Sequence, residues 1–218
     1  MKAMILCAGR GERMRPLTDA LPKPLLEVKG KALVVWHLEK LSKLGFKDVV
    51  INIAHLGFKI PQFLGNGSTW NLNITYSDEQ DEGALESAGG IKKALAFFKD
   101  ETFLVVNGDV FCEYDFEPNF DLKDKLAHLI LVPNPPHNQD GDFGIKDNLL
   151  LNSAEIKYTF SGIGYYSPKL FKNLSYTKAS LAPILRDEIK KQNISGEIYT
   201  NMWHDIGTPQ RLKDINKC

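Results

Sequence analysis

The first half of the chain alternates short apolar runs with helical stretches, and that order admits few folds. Lys2–Ala8 reads as a buried strand, and Ala32–Leu44 sets Leu33, Trp36, Leu38, Leu41 and Leu44 on one helical face before Gly45 stops it. Asp48–Ala54 is a second core strand, Gly57–Leu64 a short helix, and Asn71–Ser77 an alternating strand. Glu86–Phe98 reads as a helix and Thr102–Asn107 as another apolar strand. Helices between strands imply parallel pairing with right-handed crossovers. After that the character changes. His128–Pro133, Phe143–Leu151 and Lys157–Tyr166 read as strands, the last two antiparallel, with turns at Pro135-Pro136 and Gly141-Asp142. Ala179–Gln192 is a helix, Ile198–Trp203 a strand, and Pro209–Ile215 a closing helix. The expected fold is α/β: a Rossmann-like doubly wound sheet with a small β-rich part beside its C-terminal edge. Ligands of such sheets sit outside the carboxyl ends of the strands.

With 218 residues, 43% of them hydrophobic, the chain can bury a full core as one domain. Lysine plus arginine equals aspartate plus glutamate at 27 each, so no charge is left over for a nucleic acid or a membrane surface. No apolar run approaches the roughly 20 residues that span a bilayer, and the first residues form a strand rather than a signal pattern. Cys7, Cys112 and Cys218 are an odd set at unrelated spacings, which points to a reducing, cytoplasmic setting without a zinc cluster. Cys7 is expected to be a small buried residue and Cys218 a terminal free thiol.

The first strand runs straight into Gly9-Arg10-Gly11-Glu12-Arg13-Met14-Arg15, closed by Pro22-Lys23-Pro24. Glycines let backbone N–H groups approach an anion, and arginines add forks that match phosphate oxygens. Four cations beside two glycines repel one another unless a polyphosphate joins them. A dinucleotide-binding turn is the obvious alternative. Met14 stands where that motif needs its third glycine, and Asn52-Ile53-Ala54-His55 offers no carboxylate for a ribose diol. A P-loop is excluded, since no Lys-Ser or Lys-Thr pair follows the glycines. The bland alternative is an ordinary strand-to-helix turn with solvated charges.

Two further strand ends carry carboxylates. Asn107-Gly108-Asp109 closes an apolar strand on the same sheet edge, and Asp109 there is a natural Mg²⁺ ligand beside phosphates, though Asn-Gly also makes turns. Trp203-His204-Asp205-Ile206-Gly207-Thr208-Pro209 precedes the last helix. Thr208, immediately before Pro209, is a better helix cap than Asp205, which frees Asp205 for other work. The five histidines show no metal spacing, and Asp78-Glu79-Gln80-Asp81-Glu82 reads as a solvated loop.

Together these pieces resemble the sugar-1-phosphate nucleotidyltransferases, whose opening pattern is Gly-x-Gly-x-Arg-x-x-Pro-x-Thr followed by Pro-Lys-Pro. Here it stands as Gly9, Gly11, Arg13, Pro16, Thr18 and Pro22-Lys23-Pro24. Asn107-Gly108-Asp109 and Asp205-Ile206-Gly207-Thr208-Pro209 match in order. Leu85–Ile91, Gly141-Asp142-Phe143 and Thr159–Ile163 resemble the subgroup of N-acetylmuramate α-1-phosphate uridylyltransferases. Cys7 and Ala88 depart from that pattern. The resemblance implies a GT-A-like mixed sheet in one domain, residues 1–218, with a nucleotide-binding half (1–127) and a sugar-binding half (128–218). It implies that Gly9, Gly11, Glu12, Arg13, Lys23, Glu86 and Gly89 bind the nucleotide, with Arg13 and Lys23 catalytic. Asn107, Asp142 and Asp205 would meet the sugar phosphate, and Asp109 and Asp205 would hold Mg²⁺. The implied partners are a nucleoside triphosphate, with UTP first, and a sugar 1-phosphate, acted on by a monomer or homodimer. Three rivals stay open: a nicotinamide-dependent dehydrogenase, a mannose- or heptose-1-phosphate guanylyltransferase, and a non-catalytic nucleotide-sugar sensor. A cation reading a lactyl carboxylate could be Lys157, Arg186 or another.

Overall fold

The computed structural model describes residues 1–217, so Cys218 lies outside the described residues. In chain order the elements are β1 (Lys2–Leu6), β2 (Glu27–Val28), β3 (Lys31–Ala32), α1 (Leu33–Lys43), β4 (Asp48–Ile53), α2 (Lys59–Leu64), β5 (Asn73–Asp78), α3 (Glu86–Lys93), α4 (Leu95–Phe98) and β6 (Phe103–Asn107). They continue with β7 (Val110–Cys112), β8 (Ala127–Val132), β9 (Gly144–Lys146), β10 (Leu149–Leu151), β11 (Thr159–Tyr166), α5 (Leu181–Lys190), β12 (Ile194–Ile198), β13 (Trp203–Asp205) and α6 (Pro209–Lys217). Nine strands form one mixed sheet in the order β5-β4-β1-β6-β11-β8-β12-β10-β9. The left part is parallel, with β1 between β4 and β6. β11 then enters antiparallel between β6 and β8 and joins the two halves.

Alternation along the central strands builds the layers. Ala3 and Ile5 face one side with Val49, Ile51, Leu104 and Val106, where Val34, Leu38 and Leu41 of α1 cover them. Met4, Val50 and Val105 face the other, under Ala88 and Ile91 of α3 and Leu181, Leu185 and Ile189 of α5. Each buried Val, Leu, Ile or Met among them contributes roughly 1.5–3 kcal/mol when fully removed from water. Phe98 and Phe103 stack at a centroid distance of 3.8 Å on this second face. Among the described residues no helix is long and apolar enough to cross a membrane.

Several expectations from the sequence need correction. The run Phe143–Leu151 is a hairpin, not one strand: Asp147 and Asn148 both take positive φ (51° and 60°), and the chain reverses there as β9 and β10. Two residues at positive φ twist in the sense a tight hairpin needs, and Asn and Asp tolerate it. The expected strand Ile198–Trp203 is the gap between two strands. Ile194–Ile198 pairs parallel with β8, and Trp203–Asp205 pairs with β7. The helix expected over Glu86–Phe98 breaks at Ala94, which caps both pieces. The first strand stops at Leu6 because the Cys7 N–H turns to the side chain of Asn52 at 2.8 Å.

Candidate active site

Residues Cys7–Met14, Lys23 and Pro24 line a cavity of about 490 Å³ at the carboxyl ends of β1 and β6. Gly11 takes φ 65°, and a Cβ there would lie 2.9 Å from Thr18 Cγ2. Thr18 is buried and donates its hydroxyl to the Gly11 carbonyl at 2.8 Å. The loop is therefore held from beneath by Thr18. Met14 holds it from the other end. It is fully buried with Leu26, Val28, Leu33, Phe111, Ile206 and Ile215, so the position that lacks a third glycine is a hydrophobic anchor. Arg10 and Arg13 line the cavity, and Arg13 reaches toward Gly207. Arg15 does not line it; it pairs with Asp19 at 2.6 Å on the surface.

A buried polar relay ties this loop to the opposite wall. Asn52 accepts the Cys7 N–H and donates to Glu79 at 2.8 Å, and Glu79 accepts the Leu85 N–H at 2.8 Å. Glu79 is fully buried while Asp78, Gln80, Asp81 and Glu82 are exposed, so the acidic loop is solvated as expected except at this one residue. Burial pushes its carboxyl above the usual range, opposed by these two donors. Gly90 sits against the relay; a Cβ there would lie 2.7 Å from Glu79 Oε1. Both carboxylate oxygens accept, so an amide at this position must turn a donor toward a donor. Glu79→Gln is expected to lower stability by about 1–3 kcal/mol, read as a shift in denaturant midpoint.

Asp109 and Asp205 come together through the small β7–β13 ladder. Asp205 pairs with Val110, and the Ile206 N–H donates to the Asp109 carbonyl at 2.8 Å. Asp109 lines the glycine-loop cavity and accepts from Lys23 at 2.6 Å, an ion pair of low exposure. Asp205 is held by Arg211 and by His137 Nε2 at 3.2 Å, and lines a neighbouring cavity of about 700 Å³. Gly207, two residues on, lines the glycine-loop cavity itself. Thr208 Oγ1 accepts the Arg211 N–H at 3.3 Å, so Thr208 caps α6 and Asp205 does not. Among the described residues no three of His, Cys, Asp or Glu form a metal group. Carboxylate oxygens are the donors that a hard cation such as Mg²⁺ takes, together with phosphate and water, so the side chains of Asp109 and Asp205 suit that ion in kind.

Gly108 explains why Asp109 is placed so tightly. Its N–H donates to the Leu6 carbonyl at 2.9 Å, and a Cβ would lie 2.7 Å from Cys7 Sγ and 2.8 Å from Leu6 O. Cys7 is buried, and burial, then the Asp109 charge, raise its thiol pKa, so it stays a neutral filler. Gly108→Ala is expected to cost about 1–3 kcal/mol by overpacking, measured by reversible unfolding.

A second cavity of about 200 Å³ adjoins the first and shares Leu6, Ser87 and Asn107 with it. Asn107 packs against Gly162, whose φ is 79°; a Cβ there would lie 2.5 Å from Asn107 Nδ2. Asp142 lines this second cavity and accepts the Phe160 N–H at 2.8 Å.

Residues 2–148 match the Nucleotidyl transferase family. The chain belongs to this family. The N-acetylmuramate alpha-1-phosphate uridylyltransferase of Neisseria meningitidis serogroup B is 49% identical over 98% of this chain and 96% of its own length. A UTP–glucose-1-phosphate uridylyltransferase of Synechocystis is 40% identical over 66% of this chain, a match spanning 40% of that relative. A Bacillus anthracis structure solved with sucrose, assigned as a glucose-1-phosphate thymidylyltransferase, superposes with a TM-score of 0.86 at 23% identity, covering 100% of this chain and 94% of that one.

Within this nucleotidyl transferase, the fold brings most of the residues singled out from the sequence to one edge. Gly9, Gly11, Glu12, Arg13, Lys23, Glu86, Asn107 and Asp109 all line the larger of the two cavities that adjoin at Asn107. Glu86 does so at φ 61°, a left-handed conformation that costs a side-chain-bearing residue roughly 1–2 kcal/mol, with Lys178 Nζ 3.6 Å away. Gly89 lines neither this cavity nor its neighbour: it is buried, and a Cβ there would lie 2.7 Å from the Thr177 carbonyl. Its lack of a side chain lets α3 pack on residues 177–179, which is a different task from touching a nucleotide. The sequence reading missed the relay through Asn52 and Glu79, and the grip of His137 and Arg211 on Asp205. For Glu79 the only signal was its place directly after an alternating strand.

Proposed function

We propose that this nucleotidyl transferase joins N-acetylmuramate α-1-phosphate to UTP, forming UDP-N-acetylmuramate and pyrophosphate, a step suited to cell-wall recycling. The observation that carries this reading is the 49% identity to the Neisseria meningitidis uridylyltransferase along nearly the whole of both chains. The two adjoining cavities support it, since one is lined by cations and glycines and the other by polar and aromatic residues.

The nucleophile is an oxygen of the sugar 1-phosphate, whose second pKa is about 6, so it is already ionised at neutral pH. It attacks the α-phosphorus of UTP in line, and the bond between that phosphorus and the oxygen leading to the β-phosphate breaks. The electron pair leaves with pyrophosphate. No general base is needed. The obstacle is repulsion between two polyanions, so the work is positioning and charge neutralisation. Gly9, Gly11 and Glu12 shape the loop, Arg13 neutralises the triphosphate, and Lys23 reaches the α-phosphate region. Glu86 stands toward the nucleoside, and Asn107, shared by both cavities, orients the sugar phosphate. Asp142 accepts from the sugar. Asp109 and Asp205 are the residues that would hold Mg²⁺, which when bound supplies further neutralisation of phosphate charge.

The deciding experiment crosses each nucleoside triphosphate with a panel of sugar 1-phosphates, with Mg²⁺ and pyrophosphatase, read by mass spectrometry. N-acetylmuramate 1-phosphate with UTP is expected to give the highest kcat/KM. A higher value for mannose or heptose 1-phosphate with GTP would replace this reading, and no product from any pair would leave a binding protein.

A further inference from the structure

The second cavity contains one cation, and no carboxylate among the described residues pairs with it. Among the described residues Arg186 of α5 is the only cationic side chain lining this cavity. It forms no ion pair with a carboxylate among the described residues; its one side-chain hydrogen bond runs from Nη2 to the Asp142 carbonyl at 3.4 Å. That is a long bond, and a guanidinium carries five N–H donors. Its position is nonetheless fixed. The guanidinium carbon lies 5.0 Å from the centroid of Phe143, a ring that is buried, and the Arg186 carbonyl accepts from Asn152 at 2.7 Å. A half-buried guanidinium stacked on an aromatic ring, with its fork unfilled, is arranged to receive a planar anion.

The carboxylate lining this cavity is that of Asp142, which makes no ion pair with Arg186 among the described residues. One of its oxygens accepts from the Phe160 N–H at 2.8 Å and from Asn138 at 3.3 Å. Lys157, the other cation considered from the sequence, lines neither cavity and reaches the Gly141 carbonyl at 3.5 Å.

We propose that Arg186 is a specificity-determining residue that binds a carboxylate substituent on the sugar ring, and so selects acidic sugar 1-phosphates over neutral ones. This rests on the function proposed above and narrows it: the lactyl carboxylate of N-acetylmuramate is the group that fills the fork. Asp142 then reads hydroxyl or amide donors of the same sugar. The anomeric phosphate is left to Asn107 and the cations of the larger cavity.

The test compares N-acetylmuramate 1-phosphate with N-acetylglucosamine 1-phosphate, which lacks the lactyl group, in the wild-type protein and in Arg186→Gln and Arg186→Lys, with UTP and Mg²⁺. Wild type is expected to prefer the acidic sugar. In Arg186→Gln the ratio of the two kcat/KM values is expected to fall about 100-fold, mostly through KM for the acidic sugar, because the contact is made equally in the ground and transition states. Arg186→Lys is expected to recover part of the ratio, since it keeps the charge and loses the fork. Equal losses on both sugars would overturn the inference and mark Arg186 as a phosphate-binding or structural residue. An unchanged ratio would also overturn it while leaving the proposed function standing. A wild-type preference for the neutral sugar would overturn both.

Discussion

Asp109→Ala is expected to lower kcat at least about 100-fold with UTP and sugar 1-phosphate at saturation, the scale seen when a group that stabilises developing charge is removed. The substitution removes a carboxylate two residues beyond β6 that Lys23 approaches to 2.6 Å, next in sequence to Val110, the ladder partner of Asp205. If Asp109 and Asp205 share a divalent cation, Asp109→Ala should also raise the Mg²⁺ concentration for half-maximal rate. Titration of the rate with Mg²⁺ checks this. A near-normal rate with an unchanged Mg²⁺ requirement would remove Asp109 from the site. Folding is expected to survive, because the backbone bonds around Asp109 come from Gly108 and Ile206 rather than from its side chain.

Lys23→Met is expected to produce a comparable loss, about 100-fold in kcat/KM. Lys23 sits in the turn between Pro22 and Pro24, with its side chain only 13% exposed. Methionine keeps the length of the stem and its packing, so the change is chiefly electrostatic. Two effects add. On the function proposed above the triphosphate loses a cation, and Asp109, whose side chain is 32% exposed, loses its ion-pair partner. Lys23→Arg should recover part of the rate by restoring the charge. Unchanged kcat/KM in Lys23→Met, with the fold verified by thermal melting, would remove Lys23 from the reaction.

The sequence was most legible where local pattern and tertiary role agree. β1, β4 and β6 are buried on both faces, and their continuous apolar runs announce it. The glycine loop, Asn107 and Asp109 follow from those strands, because sheets of this kind open a crevice where their parallel strands end, and these residues line one. Less could be read where a role depends on distant partners. Glu79 sits among five polar residues, yet Asn52 and the N–H of Leu85 make it a buried acceptor. Nothing in its own neighbourhood specifies either one. His137 meets Asp205 only because the loop after β8 returns to β13. The hairpin at Asp147-Asn148 was hidden because the apolar residues on both sides read as one run. Gly89 is read from the sequence as a nucleotide contact, and the packing of α3 against residues 177–179 gives it a separate reason to lack a side chain.

One feature of the sheet reaches further. β11 runs against β6 on one side and β8 on the other, so both cavities hang on a single unbroken array of strands. Such a frame sets the spacing of the two cavities. The fittings mounted on it at the smaller one are Leu181, Leu185 and Arg186 of α5, with Asp142 and Phe143 just before β9. If Arg186 reads the sugar as proposed, a change of sugar preference calls for substitutions around α5, with the glycine-loop cavity left as it is.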